Sequence, residues 1–295
     1  MKTAKAFSHG KVILSGEYSA LYGYSALVGG IDFGVEVELR EKNNGEIVEY
    51  DEYINHIINF FAKNFGQTIC DFSLKINSNL PQKSGLGSSS AVASALIMAL
   101  AQWFNFNLSK QKLFEIVWQC ENWQHGKSSG VDAAGVVFGG LVIFKKNSEI
   151  STIETFKTNC LKDKKFLLID SGQAEESTKE MVQLINAKLP AKNVMTIISK
   201  IGELTNDFIV QLRQGIFDPQ ILRKNNALLI ELGVVGKIAQ NIIQNIEQTG
   251  GFAKITGAGG IRSGSGFILA YHSDLNILKN FVKHNNYESF EICFS

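Results

Sequence analysis

Pro81 to Ser90 reads PQKSGLGSSS and runs without a break into AVASALIMALAQWF, so a glycine-serine loop opens directly onto a strongly apolar helix. Gly85 and Gly87 let the backbone turn tightly and approach an anion closely. Ser88, Ser89 and Ser90 then set hydroxyls and amide N–H groups at the positive end of the helix dipole. A serine N-cap would explain one of these residues. Two glycines and three consecutive serines are more than a cap needs, which points to a loop for the phosphates of a nucleotide. Leu86, between the glycines, belongs to the same loop. Spelling excludes the commoner alternatives: the chain has no GxxxxGKS or GxxxxGKT, and GLGSSS lacks the third glycine of a dinucleotide fingerprint. The apolar run from Ala91 to Phe104 is too short to span a bilayer.

A chain of 295 residues can hold two ordinary domains, each with its own core. Hydrophobic residues at 45%, charged residues at 19% and three prolines are the balance of a compact protein. A formal net charge of +1 supplies no field for steering nucleic acid or an anionic membrane, so neither is an expected partner. The four cysteines, Cys70, Cys120, Cys160 and Cys293, lack the close pairs of a zinc site or a disulfide framework. With an amino terminus that carries no signal-type apolar stretch, they read as buried thiols of a cytoplasmic protein.

In the first forty residues KVILSG, YSALVGG and DFGVEVELR look like strands of one sheet. Ile54, Ile57, Ile58 and Phe61 share one helical face within Tyr53 to Phe65, and CDFSLKINSNL returns to strand alternation. Helices are expected over Ser89 to Phe104 and Ser109 to Gln124, and GVVFGGLVIFKK reads as strand. Lys146 to Lys165 is polar and unpatterned. FLLID then opens a second block with helices between Glu176 and Gln248 and two late strands joined by KITGAGGIRSGSGFILAY. The domain boundary falls near Lys165, giving residues 1–165 and 166–295.

Beyond the loop, ENWQHGKSSGVD ends a helix whose apolar face, Phe114, Val117 and Trp118, is continued by Glu121. An inward carboxylate is costly unless a cation or donor meets it. Mg²⁺ would suit, since it takes hard oxygens and is shared between one or two protein ligands and nucleotide phosphates. A helix-end glutamate paired with a lysine fits that helix equally well. Asp132 follows the SSGVD turn and, alone, reads as a turn residue. His125 beside a glycine is given no chemistry of its own. Lys11 before VIL would ordinarily be a solvated strand residue, and its interest depends on whether it faces Asp132. The glycines from Gly257 to Gly266 suit close backbone approach to a ligand, or a long flexible hairpin.

Taken together and in this order, the segments resemble the small-molecule kinase superfamily named for galactokinase, homoserine kinase, mevalonate kinase and phosphomevalonate kinase. GKVILSGEYSALYGYSAL is similar to its first motif, SGLGSSSAVASAL to its second and KITGAGG with the following glycines to its third. HGKSSGVDAAGVVFGG resembles the HGxPSGxD segment of the mevalonate kinase branch, and DSGQAEESTKEMV and NNALLIELGV are similar to that branch's corresponding stretches in the second domain. The resemblance implies an α+β fold of two domains, an N-terminal mixed sheet with helices and a C-terminal ferredoxin-like domain. It implies ATP and Mg²⁺ as cofactors and mevalonate as the small-molecule acceptor, with a homodimer left open. By position, Asp132 takes the acceptor proton with Lys11 supporting it, Ser89 and Glu121 hold Mg²⁺, and Gly85, Leu86, Gly87, Ser88, Ser89, Ser90 and Glu17 lie toward the nucleotide. Tyr18, His125, Thr178, Gly257, Ala258 and Gly259 lie on the substrate side, with Glu17 also able to tie down the lysine.

Three departures stand out. Tyr18 replaces a common histidine, Lys127-Ser128 replaces the residue-proline pair before SGxD, and Ile261 and Arg262 lengthen the third motif. Arg262, Lys83 and Lys127 would suit an already phosphorylated acceptor, so a phosphomevalonate kinase or another superfamily kinase is the alternative. A silent ligand-binding sensor is a further one, opposed by the joint presence of Lys11, Ser89, Glu121 and Asp132.

Overall fold

The structure, a computed structural model, describes residues 2–43, 49–68, 72–81, 85–126, 128–146, 151–189 and 191–294, without the side chain of Lys192. Cys70, Lys83 and Lys127 lie outside the described residues. The chain opens with β1 (Thr3–Ser15), a 3₁₀ turn (Ser19–Tyr22) and β2 (Ser25–Glu41), followed by α1 (Glu52–Phe65) and β3 (Phe72–Ser78). Three helices come next, α2 (Ser88–Trp103), α3 (Lys110–His125) and α4 (Val131–Phe138), before β4 (Leu141–Lys146) and β5 (Ser151–Phe156).

These five strands form one sheet organised by β2. It pairs with β1 on one side over Leu27 to Gly30 and Gly34 to Arg40, while on the other its first residues pair with β4 and its last with β3. Every named pairing is antiparallel, where a mixed sheet is expected. The three short strand runs of the first forty residues are two long strands. Gly29 and Gly34 do not interrupt β2, because a Cβ would meet Phe294 at 2.3 Å and the Ser8 carbonyl at 2.2 Å; they are glycines for closeness. α2 is buried on nearly every face, its alanines allowing close contact with β1, β2, α1, α3 and α4.

The second block holds β6 (Phe166–Asp170), α5 (Thr178–Lys188), α6 (Lys192–Arg213), α7 (Gln220–Leu232), α8 (Lys237–Gln248), β7 (Phe252–Ile255), β8 (Phe267–Tyr271), α9 (Leu275–His284) and β9 (Ser289–Ile292). Its sheet order, β7-β8-β6-β9, is antiparallel throughout and has the ferredoxin-like arrangement, with α5 to α8 in the first crossover and α9 in the second.

Three local expectations are corrected. GVVF is the end of α4, started at Gly130 and stopped at Gly139, both with positive φ, because a short apolar run does not by itself distinguish strand from buried helix. The stretch after Lys146 contains β5, a half-exposed edge strand whose polar residues hide its alternation. The late strands number three among the described residues, since α9 and β9 follow β8.

Candidate active site

Lys11 is placed by a fault in β1. Exposure alternates from Thr3 to Ser8, then the register on β2 shifts between His9 and Lys11, and Gly10, Lys11 and Val12 are buried in succession. Such a bulge re-aims the side chain beside it. The stem of Lys11 runs between Gly87 and Gly135: a Cβ on Gly87 would stand 3.0 Å from Lys11 Cγ, and one on Gly135 2.8 Å from Lys11 Cβ. At the end of that slot the ammonium donates to the Gly85 carbonyl at 2.7 Å and pairs with Asp132 Oδ1 at 2.9 Å. The Lys11 side chain is 1% exposed and that of Asp132 38%, so the cation is enclosed while the carboxylate faces outward.

The loop is held from below. Lys11 N–H donates to the Leu86 carbonyl at 2.9 Å, and Leu86 is buried. Gly85 and Gly87 have φ of +72° and +77°, in the left-handed region that side chains disfavour. α2 therefore begins at Gly87, with Ser88, Ser89 and Ser90 as its first turn and their N–H groups toward the loop.

Glu121 reaches this turn from α3. It is 3% exposed, and each oxygen accepts one hydroxyl: Oε1 from Ser90 and Oε2 from Ser128 at 3.0 Å. Burial pushes its carboxyl up to about 7, with repulsion from Asp132 adding to the effect and Ser90, Ser128 and Lys11 opposing it. Ser89 Oγ is buried without a hydrogen-bond partner among the described residues. A buried carboxylate with spare lone pairs and an orphaned hydroxyl on the neighbouring turn are hard oxygen donors, so the residues fit Mg²⁺.

Glu121 has a consequence for pH. The folded chain keeps this proton to a higher pH than the unfolded chain, so stability falls as pH rises from the ordinary carboxylate range through about 7. In metal-free buffer the melting temperature should drop between about pH 5.5 and about pH 7.5. The drop should shrink in Glu121→Gln, and an unchanged drop in that variant would assign the effect elsewhere.

The third glycine motif meets the loop from the other side. A Cβ on Gly85 would lie 3.6 Å from the Thr256 carbonyl, and one on Gly257 3.9 Å from Gly85 Cα. Ile13 N–H donates to Thr256 Oγ1 at 3.1 Å. The Tyr18 hydroxyl donates to the Ala258 carbonyl, and Tyr18 itself is buried with a φ of +62°, a strained conformation for a non-glycine residue. Gly259 packs under Val234, where a Cβ would stand 2.1 Å from its carbonyl oxygen.

Glu17 pairs with Lys254, not Lys11. Both side chains are buried, and Lys254 also donates to the Ile13 carbonyl at 3.1 Å. Burial raises the Glu17 pKa and lowers that of Lys254. The added Ile261 and Arg262 fold away onto Glu176, which accepts both their N–H groups at 3.2 Å and pairs with the Arg262 guanidinium at 3.3 Å. His125 is exposed at the end of α3 and Thr178 in the first turn of α5; neither bonds to the Lys11–Asp132 centre among the described residues. Sequence reasoning missed Lys254, Thr256 and Glu176. A lysine inside FAKI was the available signal for Lys254, since a buried charge needs a partner.

Residues 52–140 match the GHMP kinases N terminal domain. The chain is 26% identical over 276 residues to the mevalonate kinase of Methanocaldococcus jannaschii, covering 85% of this chain and 87% of that one. It is 29% identical over 270 residues to the mevalonate kinase of Archaeoglobus fulgidus, covering 86% and 89%. Among solved structures, Methanococcus jannaschii mevalonate kinase superposes with a TM-score of 0.83 at 20% identity, over 100% of this chain and 99% of that one. Streptococcus pneumoniae phosphomevalonate kinase gives 0.79 at 20% identity, over 99% of each chain. Among the described residues no helix is long and apolar enough to cross a membrane.

Proposed function

We propose that the chain is a GHMP kinase that transfers the γ-phosphoryl group of ATP to the primary hydroxyl of mevalonate, giving 5-phosphomevalonate for isoprenoid precursor synthesis. The observation that carries the chemistry is the enclosed Lys11 ammonium, 2.9 Å from an outward-facing Asp132 and 2.7 Å from the phosphate-loop carbonyl of Gly85. Supporting the acceptor is similarity to mevalonate kinases across both halves of the chain.

In this reading the N–H groups of the Gly85–Ser90 loop receive the β and γ phosphates at the start of α2. Glu121 and Ser89 hold Mg²⁺, which neutralises phosphate charge when bound. Asp132 takes the hydroxyl proton as the acceptor oxygen bonds to phosphorus and the bond to ADP breaks. Lys11 spends two of its three donors on Gly85 and Asp132 among the described residues, which fixes the base and leaves positive charge beside the transferred group. Phosphoryl transfer is loose at its transition state, so positioning and charge carry most of the rate. Tyr18, Gly257 and Ala258 line the acceptor side. Residues 1–165 bear the nucleotide and the base and 166–295 the substrate side, in a cytoplasmic enzyme acting on water-soluble substrates.

A phosphorylated acceptor would call for a basic cluster. The described member of that set, Arg262, is bound to Glu176, which favours mevalonate. ADP release should be measured with ATP, Mg²⁺ and either mevalonate, phosphomevalonate, galactose or homoserine. Mevalonate should give the highest kcat/KM. Preference for phosphomevalonate would overturn the acceptor, and nucleotide binding without turnover of any acceptor would make the chain a silent binding protein.

A further inference from the structure

Ser128 stands where the resembled HGxPSGxD segment has proline, and all its polar groups are engaged. Its N–H donates to Asn122 Oδ1 at 2.8 Å, and its carbonyl accepts from Trp118 Nε1 at 3.2 Å. Its hydroxyl donates to Glu121 Oε2 at 3.0 Å and accepts the Gly130 N–H at 3.2 Å. Trp118, Glu121 and Asn122 lie on α3, whereas Gly130 is the N-cap of α4, whose first turn carries Asp132. One serine thus joins the buried carboxylate to the turn that presents the base. Proline has neither the N–H nor the hydroxyl, and would remove three of these four bonds.

We infer that Ser128 is a positioning residue, which replaces the stiffness of proline with a hydroxyl that orients Glu121 for the metal and fixes the entry to α4. The inference rests on the kinase reading, in which Glu121 holds Mg²⁺. An ionised carboxylate accepting from a hydroxyl gains a stronger bond than a neutral pair, and its oxygen keeps a second lone pair for a cation. Ser90 holds the other oxygen, so the carboxylate is fixed from two elements, α2 and the α3–α4 turn.

The test uses the full chain with Ser128→Ala, Ser128→Thr and Ser128→Pro. ATP affinity is measured calorimetrically with excess Mg²⁺ and again with chelator, beside melting temperatures in chelator. In the parent, Mg²⁺ should tighten ATP binding. In Ser128→Ala that gain should shrink roughly tenfold, the size of one charge-assisted hydrogen bond, with metal-free ATP affinity unchanged. Ser128→Thr should restore the gain, and Ser128→Pro should behave like alanine. An undiminished gain in Ser128→Ala overturns the inference, as does rescue by proline without rescue by threonine. If alanine proves too unstable to assay, the threonine and proline arms decide between hydroxyl and stiffness. Absence of any Mg²⁺ effect in the parent would instead sink the metal reading of Glu121.

Discussion

Asp132→Asn should lower turnover by at least about a hundredfold while nucleotide affinity stays close to that of the parent. The substitution keeps size and shape, and the amide oxygen can still accept from Lys11, which sits 2.9 Å from Oδ1 and is buried around its whole stem. The base is lost with little disturbance to the slot between Gly87 and Gly135. ATP binding depends in this reading on the loop N–H groups and on Glu121 and Ser89, none of which Asp132 supports by a hydrogen bond among the described residues. The effect should therefore fall on kcat. Single-turnover formation of ADP with mevalonate, together with calorimetric ATP binding, separates the two quantities. Near-normal turnover in this variant would remove Asp132 from the role of base.

The glycine-serine loop and its helix were legible because they are local: turn glycines, capping serines and an apolar run follow one another in sequence, and α2 begins where they indicate. Glu121 was legible for a similar reason, as a carboxylate continuing an apolar helical face, and it is buried. The pairing of Lys11 with Asp132 was not readable from either residue alone. It depends on a bulge in β1 and on two glycines that admit the lysine stem, features that exist only once distant segments are packed. The resemblance, not the residues, linked the pair. The partner of Glu17 was misjudged for the same reason. Lys11 is the nearer lysine in sequence, but the end of β1 meets β7, and Lys254 arrives there already buried. Arg262 was read as suited to a phosphorylated acceptor; Glu176, one residue before the Ser177 N-cap of α5, gathers Ile261 and Arg262 instead.

Lys254→Met should destabilise the folded chain by about 3–5 kcal/mol, the cost of removing one partner from a buried ion pair. Lys254 and Glu17 are 0% and 1% exposed, and Glu17 Oε2 has no hydrogen-bond partner among the described residues. Without the ammonium, the carboxylate must either stay charged in an apolar setting or take up a proton. Burial already raises its pKa, so the variant should lose further stability as pH rises, because the folded state then holds a proton that the unfolded state has released. Replacing both partners, Glu17→Leu with Lys254→Met, should recover most of the loss, since well-packed apolar residues often match a buried pair. Recovery of stability need not bring recovery of activity: Lys254 also bonds the Ile13 carbonyl, Thr256 bonds the Ile13 N–H, and Tyr18 bonds Ala258, so this seam aligns β1 with the third glycine motif beside Gly85. Urea unfolding at two pH values measures the first effect and the acceptor assay the second. A single variant within about 1 kcal/mol of the parent would mean that the pair is solvated in solution, where exposed ion pairs contribute little.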